Sequence, residues 1–130
     1  MSTLLLDTHV VHWWTTEPER LSRTAEKAVE EADDLVMSGI SFFELAWLAR
    51  RGRIGVAKPI GLWLQELAAG FRTMPITAAI AVTAATLPDS FPRDPADRLI
   101  YATAIEHGWR LVTKDERLRS HRHDRPITVW

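Results

Sequence analysis

The sequence contains no cysteine and no long hydrophobic run, and it has almost no net charge, with a formal value of -1. The lack of cysteine excludes a disulfide framework and any metal or redox site built on thiolates. The apolar runs are a few residues long, whereas a membrane-spanning helix needs about 20. No basic segment followed by an apolar stretch marks a secretory signal. These absences predict a soluble cytoplasmic protein with no membrane partner.

The near-neutral charge means that nucleic-acid binding has to be argued from a local site, since a general positive field is lacking. The charges are nevertheless unevenly distributed along the chain. Residues 26–34 are acidic, whereas Arg50, Arg51 and Arg53 form one basic cluster. A second basic cluster follows near residue 120 and is made of Arg117, Arg119, Arg122 and Arg125. Most such clusters are solvated surface, and they become informative where they flank an acidic pocket.

Length and composition predict one domain over residues 1–130, because 46% hydrophobic residues suffice for a core at this size. Short apolar segments alternate with segments of helical periodicity, which predicts a parallel sheet with helices on both faces. The predicted strands are 3–7, 35–38, 72–76, 109–113 and 126–130. The predicted helices are 9–16, 21–32, 41–51, 59–70, 78–86 and 95–107.

Polar residues mark the starts of three of these helices. Ser22 and Thr77 stand at predicted N-caps, where a side-chain oxygen accepts a backbone N–H. Ser41 followed by Glu44 matches a capping box, in which two side chains satisfy the first N–H groups reciprocally. Glu44 therefore has a structural explanation besides any chemical one.

Five acids lie at predicted strand ends or helix starts, although they are scattered over more than a hundred residues. The carboxyl ends of parallel strands share one edge, and ligands of open α/β sheets bind there. The fold therefore predicts that one pocket gathers Asp7, Glu44, Asp94, Asp97 and Asp115.

Each acid also has a purely structural interpretation. Asp7 is a candidate cap of the helix that follows it, and Asp94 is a candidate cap of the helix that begins at Pro95. Asp97 is followed by Arg98, which suggests an exposed ion pair, and Asp115 suits a plain turn. The coincidence of five acids at one edge favours a functional pocket over five separate structural roles.

Several carboxylates in one pocket repel each other, and each raises the pKa of its neighbours unless a cation compensates. Mg²⁺ or Mn²⁺ is the natural compensation, because hard oxygen ligands suit hard cations. Such a cation makes a bound water a better nucleophile and stabilises charge on a phosphoryl oxygen. The predicted chemistry is phosphodiester hydrolysis. Thr8, Ser41 and Thr113 are candidates for positioning a carboxylate or a water.

Histidines and tryptophans suggest two further sites that the sequence supports less well. His9 and His12 suggest zinc, but no matching pair follows downstream. The tryptophans suggest a base-stacking platform. Those on apolar helix faces are instead predicted to lie in the core or a dimer interface: Trp13, Trp14, Trp47 and Trp63.

The sequence resembles the PIN-domain family, and within it the VapC-type toxin ribonucleases of bacterial toxin–antitoxin pairs. Five segments carry the resemblance in the right order and cover most of the chain. They are LLLDTHVVHWW, SGISFFELAWLARRGRIGV, MPIT, FPRDPADRLIYATAIEHGWRLVTKD and ITVW. The most specific part is RDPADRLI followed by LVTKD.

This resemblance implies a three-layer α/β/α fold with a mainly parallel central sheet. It places the family's four metal-binding catalytic acids on Asp7, Glu44, Asp97 and Asp115, with Asp94 as an additional acid. It further implies RNA hydrolysis with Mg²⁺ or Mn²⁺, a homodimer, and inhibition by a cognate antitoxin. If the basic residues line the groove, they are candidate contacts to the RNA backbone: Arg50, Arg51, Arg53 and Arg117.

Two alternatives remain beside the ribonuclease interpretation. A phosphatase with Asp7 as its nucleophile usually needs a second aspartate two residues later, where this chain has His9. A catalytically silent PIN-like module that binds RNA or protein is the other alternative, and the intact set of acids argues against it.

Overall fold

The apolar run Leu4–Leu6 lies in the central strand of a five-stranded sheet in the computed structural model, which describes residues 2–130. The strands are β1 Thr3–Leu6, β2 Asp34–Ser38, β3 Arg72–Met74, β4 Arg110–Val112 and β5 Thr128–Val129. They are arranged in the order β3-β2-β1-β4-β5, and all four pairings are parallel. The predicted α/β fold is confirmed, and the sheet is wholly parallel.

In the described part of the chain, seven helices and one 3₁₀ turn, Pro18–Arg20, connect the strands. The helices are α1 Thr8–Thr16, α2 Arg23–Glu31, α3 Ile40–Arg50, α4 Ile60–Gly70, α5 Ala78–Thr86, α6 Pro95–His107 and α7 Glu116–Ser120. Ser22 and Thr77 cap α2 and α5 as predicted. Gly108 ends α6 with a positive φ of 70°, a conformation that favours glycine. The short α7 and the 3₁₀ turn were not predicted, because each is too brief to show helical periodicity.

The predicted capping box is wrong. Helix α3 begins at Ile40, with Gly39 as its N-cap and no side-chain cap. Ser41 is fully buried inside the helix, and its hydroxyl lies 2.8 Å from the Thr8 hydroxyl. The Ser-x-x-Glu spacing therefore reflects two side chains that project toward α1, as described below for the site.

The core has two main parts, one on each face of the sheet. Leu4 and Leu6 face one side, where they pack with residues of α1, α2, α3 and α4. Leu5 faces the other side, where it packs with residues of α6 and α7. Because both faces are covered, β1 is apolar without alternation, as expected for a central parallel strand. Within residues 2–130, no helix has the length and apolar character needed to cross a membrane.

The register of the sheet aligns the two strand ends that matter most for the site. Leu6 pairs with Val112, and the Asp7 N–H donates to the Val112 carbonyl at 3.0 Å. Asp7 and Thr113 are therefore neighbours at the carboxyl edge. β2 ends beside them, and its chain leads directly into α3.

Replacing Leu5 by alanine is expected to destabilise the fold by about 2–5 kcal/mol, because Leu5 is fully buried between β2 and β4. Urea unfolding followed by circular dichroism measures the change. Leu62→Ala is the matched control, since Leu62 is 48% exposed on α4 and should change stability little. Equal effects of the two substitutions would contradict the assignment of β1 as the central strand.

Candidate active site

The structure brings the five predicted acids to the carboxyl edge of the sheet. Asp7 follows β1, Glu44 is in the first turns of α3, and Asp115 follows β4. Asp94 and Asp97 lie at the start of α6. The carboxylates are close enough that Asp7, Asp94 and Asp115 all act on the pKa of Asp97.

Three of the acids are helix N-caps, as predicted for Asp7 and Asp94, whereas Asp115 was predicted to lie in a plain turn. The Asp94 carboxylate accepts from the Ala96 N–H at 2.9 Å, and the Asp115 carboxylate accepts from the Arg117 N–H at 2.9 Å. Asp7 precedes α1 and accepts from the Thr8 N–H at 2.8 Å. The partial positive charges at the starts of α1 and α6 favour negative charge at these positions.

Asp7 is the most buried of the acids, with 4% of its surface exposed. The Thr113 hydroxyl donates to Asp7 Oδ2 at 2.7 Å, and the same Thr113 oxygen accepts from the Asp115 N–H at 3.1 Å. Thr113 therefore links the acids that follow β1 and β4. Its predicted positioning role agrees with this geometry.

Glu44 is held by a chain of hydroxyls. Thr8 Oγ1 donates to Glu44 Oε1 at 2.5 Å. Because the Thr8 hydroxyl has one proton, Ser41 Oγ donates to Thr8 in turn, at 2.8 Å. Burial raises the pKa of Glu44, the Thr8 hydrogen bond lowers it, and the Asp7 and Asp94 carboxylates raise it further.

Asp97 is the acid of the site whose pKa is raised most. Burial, and then the carboxylates of Asp94, Asp7 and Asp115, raise the pKa of Asp97 from 3.8 to about 7. Arg117 opposes this shift only weakly. A carboxyl group with this pKa is half protonated near neutrality, because burial and the neighbouring carboxylates outweigh the attraction of Arg117.

Arg117 is the one guanidinium that contacts two acids of the pocket within residues 2–130. Its Nη2 lies 2.8 Å from Asp115 Oδ2 and 3.3 Å from Asp97 Oδ2. The hydrogen bond from Arg117 holds the pKa of Asp115 below its ordinary value. The side chain of Arg117 is 63% exposed, so it can leave the acids at little cost.

Arg98 does not form the ion pair with Asp97 that its position suggests. Its guanidinium donates to the backbone carbonyls of the loop between α5 and α6 and of the end of α5, namely Ala84, Leu87, Pro88, Phe91 and Pro92. These contacts hold the proline-rich loop that leads into Asp94. This role could not be predicted from the sequence, because a residue pattern does not show which backbone carbonyls lie within reach of a side chain.

His9 contributes to the site in a way that the sequence did not predict. Its Nε2 accepts from the Lys114 N–H at 3.1 Å, and its Nδ1 lies 3.7 Å from Asp7 Oδ2. Burial lowers the pKa of His9, so the ring is neutral at pH 7 and presents its Nδ1–H toward Asp7. His12 packs edge-on against Trp63 instead, at 6.3 Å between ring centroids, so the two histidines do not converge.

The tryptophans divide between core and surface. Trp63 is buried, as predicted for a core residue, whereas Trp13 and Trp14 are half-buried. Trp47 is 50% exposed and lies 5.9 Å from the 62% exposed ring of Phe43. Trp47 therefore does not lie in the core, and of the two predicted positions only a dimer interface remains for it.

The chain belongs to the PIN-domain family, since a family model described as PIN domain matches residues 4–123. It is 65% identical to Ribonuclease VapC22 of Mycobacterium tuberculosis, over 100% of both chains. It also shares its fold with a DNA-bound VapBC from Salmonella typhimurium (TM-score 0.71, 17% identity, 99% of this chain and 98% of that chain). A toxin–antitoxin complex from Klebsiella pneumoniae is similar as well (TM-score 0.70, 20% identity, 98% and 96%).

In metal-free protein, Asp97→Asn is expected to raise stability above pH 7 by up to roughly 4 kcal/mol, because the pKa of Asp97 is raised from 3.8 to about 7 and each pKa unit corresponds to about 1.4 kcal/mol. Because the folded-state pKa of Asp97 is about 7 rather than 3.8, its contribution to stability is present below pH 3.8. That contribution is lost as the pH rises through 7.

Urea unfolding in EDTA at several pH values between these limits measures the difference. Asp89→Asn is the control, because Asp89 is exposed in the loop before α6 and forms no salt bridge within residues 2–130. If wild type and Asp97→Asn show the same pH dependence, Asp97 does not have the raised pKa.

Proposed function

We propose that this protein is a metal-dependent endoribonuclease and the toxin component of a toxin–antitoxin pair. The observation that carries the proposal is the convergence of five carboxylates at one sheet edge, with Arg117 as their cationic partner. Membership of the PIN-domain family and the 65% identity to a VapC ribonuclease support the same function.

The donor set suits a divalent metal ion. Within residues 2–130, Glu44 and Asp94 have no salt-bridge partner. Burial, and then its acidic neighbours, raise the pKa of Asp97 to about 7. Carboxylate oxygens in this number favour Mg²⁺ or Mn²⁺. No three side chains of the described residues are yet close enough to enclose a metal ion, which is consistent with Arg117 lying between Asp97 and Asp115.

We assign metal binding to Asp7, Glu44, Asp97 and Asp115, with Asp94 as a further candidate ligand. A bound cation would favour the ionised form of Asp97 and would take the place of Arg117 as the cationic partner of Asp97 and Asp115. A divalent cation supplies activation of water and neutralisation of charge on the phosphate. Thr113 and the Ser41–Thr8 chain keep the oxygens of Asp7 and Glu44 in place, so that these ligands need little reorganisation.

The four arginines proposed to contact the RNA backbone differ in their surroundings. Arg51 covers the ring of Trp47, with its Cζ 3.9 Å from the ring centroid. Arg50 and Arg53 are exposed. Arg117, once released from the acids, remains next to the site of phosphate hydrolysis. The expected products carry a 5′-phosphate and a 3′-hydroxyl, as in other metal-dependent phosphodiester hydrolysis.

Asp7→Asn is expected to reduce RNA cleavage by on the order of a hundredfold or more, because it removes a charge that acts on the transition state. Total cellular RNA is incubated with purified protein freed of any partner, with Mg²⁺, with Mn²⁺ and with EDTA. Asp89→Asn is the matched control and should cleave like wild type. Calorimetry with Mg²⁺ gives a readout that does not depend on the choice of RNA.

Full activity of Asp7→Asn in metal-replete buffer would contradict the assignment of the site. Absence of both cleavage and metal-binding heat in the wild type would instead favour a silent binding module. The two outcomes are therefore distinguishable, and circular dichroism shows whether each variant is folded.

We infer two protein partners as part of the same proposal, together with a cytoplasmic location. Solved structures with this fold include toxin–antitoxin complexes, which supports a cognate antitoxin for this chain. A homodimer is the second inference, and the exposed rings of Phe43 and Trp47 on α3 are the apolar surface that supports it.

Trp47→Glu is expected to raise the dimer dissociation constant at least about tenfold, since buried aromatic residues dominate such interfaces. Sedimentation velocity over a range of concentrations measures the change. Leu62→Glu introduces the same charge at a residue of similar exposure on α4 and should leave the dimer intact. Unchanged association of Trp47→Glu would rule out this face.

A further inference from the structure

Beside the acidic pocket lies a strip of cationic side chains centred on one aromatic ring. We call it the Trp13 strip and define it as Trp13, Arg20, Arg53, Lys114 and Arg119. A cavity of about 520 Å³ next to Asp115 is lined by Trp13, Lys114 and Arg119. A second cavity of about 400 Å³ is lined by Trp13, Arg20 and Arg53. Trp13 borders both cavities, so the strip is continuous and begins at a candidate metal ligand.

The cations of the strip are free to meet a ligand. Within residues 2–130, Arg53, Lys114 and Arg119 form no salt bridge, and all three are exposed. Arg20 pairs with Glu17 at 3.7 Å, but both side chains are about half exposed, so the pair contributes little. Asp115 and Glu116 border the first cavity, and Glu17 borders the second.

The indole of Trp13 is held in place from several sides. Its centroid lies 4.9 Å from the His9 ring and 6.2 Å from the Trp130 ring. The Arg20 guanidinium is 4.4 Å from the centroid and the Lys114 ammonium 5.7 Å. A half-buried ring fixed by neighbours and flanked by cations loses little entropy when a planar group stacks on it.

We propose that the Trp13 strip is a subsite for single-stranded RNA, holding the nucleotides on one side of the phosphate that is cut. A base packs against Trp13, Lys114 and Arg119 bind the phosphates nearest the acids, and Arg20 and Arg53 bind those further away. Unpaired bases can reach an aromatic ring, whereas bases in a duplex are stacked on each other. This inference rests on the proposed ribonuclease function.

The other exposed aromatic surface suits RNA less well. The cavity that Phe43 and Trp47 share with Glu44 and Asp94 is lined by no cation among the described residues. Carboxylates also border the two cavities at Trp13, but Lys114 and Arg119 line one of these cavities and Arg20 and Arg53 line the other. Charge complementarity therefore favours RNA at Trp13.

The test is the affinity for a short fluorescein-labelled single-stranded RNA in EDTA, where metal-dependent cleavage does not occur, measured by fluorescence anisotropy. Trp13→Leu is expected to weaken binding roughly 5- to 100-fold, the range for loss of one stacked base. Trp13→Phe keeps an aromatic ring and should retain most of the affinity. The same RNA annealed to its complement should bind without dependence on Trp13.

The cations are tested by the salt dependence of binding between about 50 and about 200 mM salt. Lys114→Gln and Arg119→Gln should each lower the slope of log K against log salt by about 0.7, the value for one phosphate contact on a single strand. Lys27→Gln is the control, because Lys27 is exposed on α2 away from both cavities. Lys114 and Arg119 are exposed, so these variants test the proposal even if Trp13→Leu does not fold.

Several outcomes would overturn the subsite. If the wild type cleaves RNA but the Trp13, Lys114 and Arg119 variants bind RNA with unchanged affinity, the proposed nuclease function stands. The Trp13 strip is then not an RNA subsite. Loss of antitoxin binding with full RNA binding shows that the strip is a protein interface. Equal loss for duplex and single strand contradicts the single-stranded specificity. If the wild type cleaves no RNA with any metal, that result counts against the proposed ribonuclease function and not against the Trp13 strip.

Discussion

The repulsion among five carboxylates at one sheet edge is the constraint on which the rest of this site depends. Without compensation, such charges would separate or take up protons. Hydroxyl donors stabilise Asp7 and Glu44, helix starts favour the charges of Asp7 and Asp94, and Arg117 binds Asp97 and Asp115. These contacts do not fully compensate Asp97, since burial and the neighbouring carboxylates raise its pKa to about 7. The proposed metal site follows from this excess of negative charge.

The scaffold keeps these charges together through contacts that are not themselves part of the chemistry. The parallel register sets Asp7 beside Thr113, and the apolar residues on both faces of β1 hold that register. Arg98 fixes the loop before α6 by binding five carbonyls. Apolar burial and backbone hydrogen bonds thus offset the repulsion between the acids. Keeping these like charges close lowers stability for the sake of activity, a conflict that is common in enzymes.

Much of the fold and of the site could be predicted from the sequence. Alternating strands and helices fix the sheet edge, so the meeting of Asp7, Glu44 and Asp115 follows from topology. Side-chain partners could not be predicted, because they depend on tertiary contacts. Ser41 and Glu44 match a local capping pattern, yet both point to Thr8, 33 and 36 residues away. The pairing of Arg117 with Asp97 and the exposure of Trp47 likewise depend on neighbours that are distant in the chain.

The hydrogen bond between Asp7 and Thr113 joins residues that are 106 positions apart. The central strand β1 is made first on the ribosome, but its partner β4 and the acid at position 115 are made more than a hundred residues later. Until that segment has emerged, the nascent chain has an unpaired strand edge and lacks Asp115. The acidic pocket can therefore be completed only when synthesis of the chain is nearly finished.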